Sequence, residues 1–382
     1  MSNALEKFKT VVADTESWLK DYKKKSGKKI LGCYPMYVPE ELVHAAGILP
    51  VAMFEHDEPV TLADQHIHRY VCHCLRGIFD LSLKGEFDYL DGVVFTDFCL
   101  TTRMTSQVWI YNHDDKDSFY HCIFTQQNMV SQQAPIHLRE EFQILKKALE
   151  AYTGNEITEE SLKNSIRIYN ENRRLLKELY EIRRKDPEIL KASDYVNVVA
   201  AGMIMPKEMH TELLKELLDE FDGVTKIASE KARVIVSGMF CELPNPSLMD
   251  MVEASNMAVC DDDIYTGRRY FDYILDEGMD PVEAMASRHL NDIPDPNKHN
   301  PNNEWVPYLK KLVAETGAEG IVMYVLKYCE AHLFDVPYLT HQMAEAGIPI
   351  LIIETTEAGA TEQMRTRLEA FSEMITLGRD EI

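Results

Sequence analysis

The chain passes through the same order of elements twice, and that repetition limits its fold more than any single motif. The first pass opens with the apolar run Lys29-Ile30-Leu31-Gly32, which ends in Cys33-Tyr34-Pro35. Pro39-Glu40-Glu41-Leu42-Val43 then starts a helix with proline in its first turn. A short strand at Val51–Phe54, a helix from about Val71 to Leu83 and a third strand at Leu90–Phe95 follow. A helix carrying Arg103 and Trp109 and a fourth strand at Tyr120–Phe124 complete the pass. The second pass runs through strands Arg233–Val236, Ala258–Cys260, Gly320–Val325 and Ile350–Ile353, with a helix beginning at Pro246. Strands alternating with helices at these spacings predict parallel βαβ units.

Between the passes, from His137 to about Leu218, the apolar residues recur instead at steps of three and four. Leu138, Phe142, Leu145 and Leu149 form one such row, and Leu162, Ile166, Tyr169 and Leu176 another, with Thr158 before Glu159-Glu160 as a helix cap. The expected fold is α/β, with two Rossmann-like or flavodoxin-like parallel-sheet lobes in one chain. Residues 1–136 form the first lobe with a leading helix, 137–224 a helical connecting segment, and 225–382 the second lobe.

The chain has 63 acidic residues against 40 Lys and Arg, a formal net charge of -23, and only short basic clusters such as Lys23-Lys24-Lys25 and Arg183-Arg184-Lys185. Attraction to phosphate backbones or anionic lipid needs clustered positive charge, so no nucleic acid partner is expected. No apolar run reaches the ~18 residues of a spanning helix, and the N-terminus lacks the apolar centre of a secretory signal. The expected location is the cytoplasm, with no membrane association. There the 8 cysteines are expected to stay reduced.

Cys33, Cys99, Cys241, Cys260 and Cys329 fall at or just past the carboxyl ends of expected strands, and Cys72 opens a helix between two of them. Cys74 and Cys122 stand outside that placement. Ligands of open α/β sheets bind beyond those strand ends, where the strand order switches. One cysteine alone is usually a packing residue; six of eight at the strand ends of two facing lobes are read as a shared site. Thiolates converging from distant segments suit tetrahedral zinc or an iron–sulfur cluster, since both take soft sulfur donors. The close CxxC pairs of a zinc ribbon are absent.

The stretch Gly32-Cys33-Tyr34-Pro35-Met36-Tyr37-Val38-Pro39-Glu40-Glu41-Leu42-Val43-His44-Ala45-Ala46-Gly47-Ile48-Leu49-Pro50 resembles the opening motif of the 2-hydroxyacyl-CoA dehydratase and benzoyl-CoA reductase family. Further matches are Tyr70-Val71-Cys72 with Arg76, and Val94-Phe95-Thr96-Asp97-Phe98-Cys99 with Arg103 and Trp109. Phe240-Cys241-Glu242-Leu243-Pro244 with Asp261-Asp262-Asp263, and Tyr328-Cys329-Glu330 with Phe334-Asp335-Val336-Pro337, carry the resemblance over nearly the whole chain. The chain is most similar to the smaller cluster-bearing (gamma) subunit of ATP-dependent benzoyl-CoA reductase.

That resemblance implies one [4Fe-4S] cluster in the cleft between the lobes, with Cys72, Cys99 and Cys329 as its three protein ligands. One iron is then left for water, a small ligand or the substrate, and Cys33, Cys74 and Cys241 are further thiols near the motifs. It implies an oxidoreductase subunit of anaerobic aromatic degradation that delivers single electrons for dearomatising reduction of an aromatic acyl-CoA, benzoyl-CoA. A subunit of an (R)-2-hydroxyacyl-CoA dehydratase, or a homodimeric low-potential electron-transfer reductase, is the alternative. Dehydratase subunits carry a serine close to the place of Cys33 and Tyr34, which favours reduction. The implied partners are a homologous cluster-bearing subunit, forming a heterodimer, and a separate ATP-hydrolysing iron–sulfur activator. Neither GxxxxGK[ST] nor GxGxxG occurs in this chain, so another protein must bind the ATP.

Proton delivery could fall to His44, His66, His68, His73 or His332, all within or beside the cysteine motifs. Arg103 could grip an acyl-CoA phosphate or carbonyl, or pair with Asp97. Asp261-Asp262-Asp263 reads either as a metal-binding carboxylate cluster or as a turn after a strand. The Pro/Asn-rich stretch 292–303 reads as a surface connector.

Overall fold

The structure is a computed structural model. It describes residues 3–378 apart from 56–58, 114–116, 126, 224–229, 240, 292–293, 295, 300–303 and 356–359. The expected boundary at 224/225 and most of the stretch 292–303 lie outside the described residues.

Two leading helices, α1 (Asn3–Ala13) and α2 (Thr15–Ser26), replace the single one expected. Asp14 divides them, because its carboxylate accepts the Ser17 N–H (3.2 Å) and starts a new helix. The first lobe then runs β1 (Ile30–Tyr34), α3 (Glu40–Ala45), β2 (Leu49–Ala52), α4 (His73–Leu83), β3 (Gly92–Thr96), α5 (Leu100–Asn112) and β4 (Phe119–Ile123). Four helices follow: α6 (Ala134–Thr153), α7 (Glu159–Lys185), α8 (Ala192–Gly202) and α9 (Lys207–Asp219). The second lobe comprises β5 (Ala232–Gly238), α10 (Pro246–Ala254), β6 (Met257–Asp263), α11 (Arg268–Phe271), α12 (Pro281–Asn291), α13 (Trp305–Thr316), β7 (Gly320–Leu326), α14 (Glu330–Glu345), β8 (Ile350–Thr355) and α15 (Glu362–Leu377).

Each lobe carries a four-stranded, wholly parallel sheet, ordered β2-β1-β3-β4 in the first and β6-β5-β7-β8 in the second. The order is the same in both: second, first, third, fourth strand of the lobe. β1, β2, β3 and β6 are buried along their whole length, as parallel strands covered by helices on both faces must be. The repeat read from the sequence is therefore a repeat of topology.

The lobes also touch directly: the Tyr265 hydroxyl donates to the Pro35 carbonyl (2.6 Å), and Tyr270 to the Glu40 carboxylate (2.7 Å). The helical segment packs against both lobes through α7. There the buried Arg173 pairs with Glu41 of α3, and Arg183 pairs with Asp262 of β6.

His210 of α9 is fully buried in this helical layer. Its Nε2 faces the Val198 carbonyl (2.8 Å), and its Nδ1 faces the Asn172 side-chain amide (2.8 Å). Nε2 must therefore donate and Nδ1 accept, which only a neutral ring can do. Burial, with the Lys207 cation nearby, pushes its pKa down to about 3 from an ordinary 6.5. The unfolded chain takes up a proton here as pH falls below about 6.5, and the folded chain does not. This contribution to stability is thus complete above the unfolded pKa and is lost as pH falls toward 3. The melting temperature is expected to drop on acidification through that window, and less steeply in His210→Gln. Parallel curves for the two proteins would rule the assignment out.

Candidate metal centre

The strand order reverses between β1 and β3 in one sheet and between β5 and β7 in the other, which opens a crevice past the carboxyl end of each pair. Residues of both lobes line one cavity of about 440 Å³ there, and Cys72, Cys74, Cys99, Cys241 and Cys329 are among them. Three of these thiols share a local design. Cys72 is the N-cap of α4, Cys99 of α5 and Cys329 of α14. Cys99 and Cys329 are equivalent in the repeat, since each closes the connection from the third strand of its sheet to the next helix. A helix N-terminus favours negative charge and so suits a thiolate. The Cys99 sulfur already accepts the Thr102 N–H (3.4 Å) and touches the hydroxyls of Thr101 (3.1 Å) and Thr102 (3.0 Å).

The turn that delivers Cys72 is held from behind. Asp80 of α4 accepts backbone N–H groups of Thr61 (2.9 Å), Leu62 (2.5 Å) and Ala63 (2.8 Å) and pairs with Lys84 (3.0 Å). Burial opposes its ionisation, but those partners hold its pKa below the usual carboxylate range. Asp64 pairs with Arg76 (3.2 Å) and Arg69 (2.8 Å). Arg76, noted beside Cys72 in the sequence, thus clamps the loop.

On the opposite side, β5 ends at Gly238, whose φ is 98° and where an added Cβ would lie 1.9 Å from the Tyr324 carbonyl oxygen. Gly238→Ala must push β5 away from β7 just before Cys241. It is expected to cost well over 1 kcal/mol, read as a lowered melting temperature; unchanged melting would contradict this packing.

Two of the expected strand-end thiols fall elsewhere. Cys33 lies inside β1, which runs one residue beyond it, and it packs in the apolar core away from the cavity. Cys260 lies mid-strand because β6 extends to Asp263, and its thiol points at the Val234 carbonyl (3.4 Å) in a small apolar cluster. Cys122, in β4, accepts from Ser106 (3.7 Å) and does not line the cavity. Cys74, set outside the strand-end placement but noted as a further thiol near the motifs, lines the cavity: two residues past an N-cap it still belongs to the first helical turn and reaches Cys72, Sγ to Sγ 3.6 Å. The Cys-His-Cys spacing at a helix start was the available signal.

Arg103 pairs with Asp97 (Nε to Oδ2 2.9 Å), with its side chain still 51% exposed. The carboxylates of Asp261, Asp262 and Asp263 form neither a turn nor a metal cluster; they are the buried end of β6. Arg268 and Arg184 pair with Asp261 (2.6 and 2.7 Å), Arg183 with Asp262 (2.6 Å) and Arg269 with Asp263 (2.9 Å). Of the five histidines, His332 lines the cavity, while His44, His66, His68 and His73 do not. Burial, with Arg269, pushes the His332 pKa down to about 3, so its ring is neutral at pH 7. Part of the expected connector also lines the cavity, Pro294, Pro296, Asn297, Lys298 and His299, with Glu304 just beyond it. Backbone hydrogen bonds from Met129 to His299 (3.2 Å) and from His299 to Gln127 (2.7 Å) tie it to the first lobe.

As thiols, these groups resist ionisation. The Cys72 pKa is pushed well above the ordinary range by its contact with Cys74 and then by burial. Burial and the neighbouring Cys72 and Cys99 push Cys329 up to about 12. Contact with Cys74 works to lower Cys241, yet burial and the surrounding thiols push it up to about 12. A buried set of soft donors that repel one another when ionised fits a cationic metal centre, which deprotonates the thiols it binds. Among the described residues, no three His, Cys, Asp or Glu side chains converge on one ion. An iron–sulfur cluster differs, because each thiolate takes a separate iron and the sulfurs stay apart. The donor set therefore fits a cluster better than a lone zinc ion. No described helix is long and apolar enough to cross a membrane.

A family model described as 2-hydroxyglutaryl-CoA dehydratase, D-component matches residues 35–375. The chain is 28% identical to the (R)-phenyllactyl-CoA dehydratase beta subunit of Clostridium sporogenes, covering 96% of this chain and 97% of that protein. It is 31% identical to the beta subunit of lactoyl-CoA dehydratase of Anaerotignum propionicum, covering 97% and 98%. A benzoyl-CoA reductase subunit of Thauera aromatica is 28% identical, covering 92% of each. Relatives of both reaction types therefore stand at similar identity, and the preference for reduction drawn from Cys33 and Tyr34 finds no separate support among them.

Proposed function

The chain belongs to the 2-hydroxyglutaryl-CoA dehydratase D-component family, and from that membership we propose that it is an iron–sulfur subunit of an enzyme that passes single electrons to a CoA thioester. The observation that carries the proposal is the convergence of three helix-capping cysteines from both lobes, Cys72, Cys99 and Cys329, on one cavity. These three are the proposed ligands of a [4Fe-4S] cluster. Bound there, the cluster supplies a low-potential electron, tuned by burial and by hydrogen bonds to sulfur.

The chain's own residues do the rest. The N-termini of α4, α5 and α14 offset the charge of three thiolates. Leu75, Phe98 and Trp305 wall the cavity with apolar surface and exclude water. Lys298 brings a cation to the same wall, where an anionic CoA ester would enter.

Reduction of an aromatic acyl-CoA, with benzoyl-CoA as substrate, is the first reading. Dehydration of an (R)-2-hydroxyacyl-CoA is the second, favoured by the two dehydratase beta subunits at 28% and 31% identity. In either case the chain is proposed to act in the cytoplasm, beside a homologous cluster-bearing subunit and with a separate ATP-hydrolysing activator. Anoxic assays of the assembled complex with ATP, offering benzoyl-CoA and 2-hydroxyacyl-CoAs in parallel, test this. ATP-dependent loss of aromatic absorbance supports reduction, and enoyl-CoA formation supports dehydration. Turnover of neither by a complex with its metal fully loaded would refute the proposal.

A further inference from the structure

We propose that the Tyr34 hydroxyl donates a hydrogen bond to metal-bound sulfur of the iron–sulfur centre and so raises the centre's reduction potential. This role rests on the proposed cluster and gives it a tuning residue outside the ligand set.

Tyr34 is the last residue of β1 and is fully buried. It does not itself line the cavity, but Cys72, Cys74 and Cys241, which do, surround it together with Glu55. The ring packs in one apolar cluster with Cys72, Cys74, Leu75 and Phe79, and Cys99 and Cys241 pack against that cluster. The hydroxyl has no hydrogen-bond partner among the described residues, so neither the thiols nor Glu55 accept from it.

A buried phenol O–H rarely goes without an acceptor. Phenylalanine would fill the same apolar space and leave no polar group unpaired. Burial also keeps the phenol protonated, so it stays a donor. Neutral thiols accept weakly. Thiolate or sulfide bound to iron carries negative charge and accepts a stronger, charge-assisted bond. The hydroxyl is therefore matched to a loaded centre and not to free thiols. The match is the same whichever of the neighbouring thiols binds iron.

Tyr34 adds to a set of backbone donors. Cys72, Cys99 and Cys329 each accept the N–H of the residue three positions on, Leu75, Thr102 and His332. Those bonds belong to the helix starts and are made with or without metal. Tyr34 is a side chain, so substitution removes its bond. A hydrogen bond to sulfur steadies the added negative charge of the reduced centre, which raises the potential.

The test uses the full chain purified without oxygen, as wild type, Tyr34→Phe and, for control, Tyr324→Phe. Tyr324 is equally buried, but its hydroxyl is committed to the Leu248 carbonyl (3.1 Å) in the second lobe. Iron and sulfide are measured first. A chain that holds no cluster overturns the proposed function and this role with it, whereas the readouts that follow concern Tyr34 alone. Spectroscopic redox titration is expected to give a lower midpoint potential for Tyr34→Phe than for wild type, at equal iron content, and a wild-type potential for Tyr324→Phe. Melting is then compared with and without metal. Tyr34→Phe is expected to melt below wild type only when loaded, because the hydroxyl has nothing to bond in the metal-free chain. A tyrosine needed by the fold alone would cost stability in both forms and leave the potential where it is. A loaded Tyr34→Phe whose potential is unchanged or higher overturns the inference, and so does a variant destabilised equally with and without metal.

Discussion

Alanine at Cys72, Cys99 or Cys329, introduced singly, is expected to remove most of the iron and labile sulfide and the accompanying visible absorbance. Each of these residues stands at the N-cap of a different helix, so losing one withdraws a donor from one side of the cavity; Cys74, 3.6 Å from the Cys72 sulfur, is the neighbour that could stand in for Cys72, and Cys72→Ala combined with Cys74→Ala removes that substitution. The first turn of each helix keeps its backbone, and far-ultraviolet circular dichroism of the variants should match wild type, which separates loss of metal from loss of fold. Cys33→Ala, Cys122→Ala and Cys260→Ala serve as controls; these thiols do not line the cavity, and the variants should retain their iron. Full iron content in Cys99→Ala, in Cys329→Ala or in the combined Cys72→Ala and Cys74→Ala variant would remove the residues concerned from the ligand set.

Arg183→Met is expected to lower the unfolding free energy by about 3–5 kcal/mol, the largest stability effect foreseen for a residue outside the cavity. Arg183 and Asp262 have side chains only 2% and 1% exposed. The guanidinium donates to Asp262 (2.6 Å) and to the Val259 carbonyl (3.0 Å), and Tyr180 donates to the same carboxylate (2.7 Å). Removing the arginine strands a buried charge on β6, where desolvation costs more than exposed pairs ever gain. The pair fastens α7 to the sheet that carries Cys241 and Cys329. Arg183→Met combined with Asp262→Leu removes both charges and should recover much of the loss. Urea unfolding followed by tryptophan fluorescence measures both variants. A midpoint for Arg183→Met equal to wild type would show that the pair contributes nothing.

The alternation of strands and helices was legible because parallel strands buried on both faces read as continuous apolar runs, and the eight strands lie within about three residues of their expected places. The topology repeat was legible for the same reason. The character of the Asp261–Asp263 run was not: three adjacent carboxylates look like a turn or a metal cluster unless their partners are known. Those partners include Arg183 and Arg184, some 80 residues earlier in the chain, which the sequence presents only as a short basic cluster. The extension of β6 that buries the carboxylates also moved Cys260 into mid-strand. Cys72, Cys99 and Cys329 stood out through motif resemblance, and Cys241 through its place after a strand. Cys74 was within reach of a local signal, its Cys-His-Cys spacing from Cys72 at a helix start, whereas the cavity-lining residues near His299 depend on tertiary contacts that no local pattern encodes.

The most direct test of the account is the iron and acid-labile sulfide content of the wild-type chain, purified without oxygen, together with its visible spectrum. The account predicts a brown protein with about four irons and four sulfides per chain, whose colour bleaches in air. A colourless protein without iron, or one holding only zinc, would contradict it.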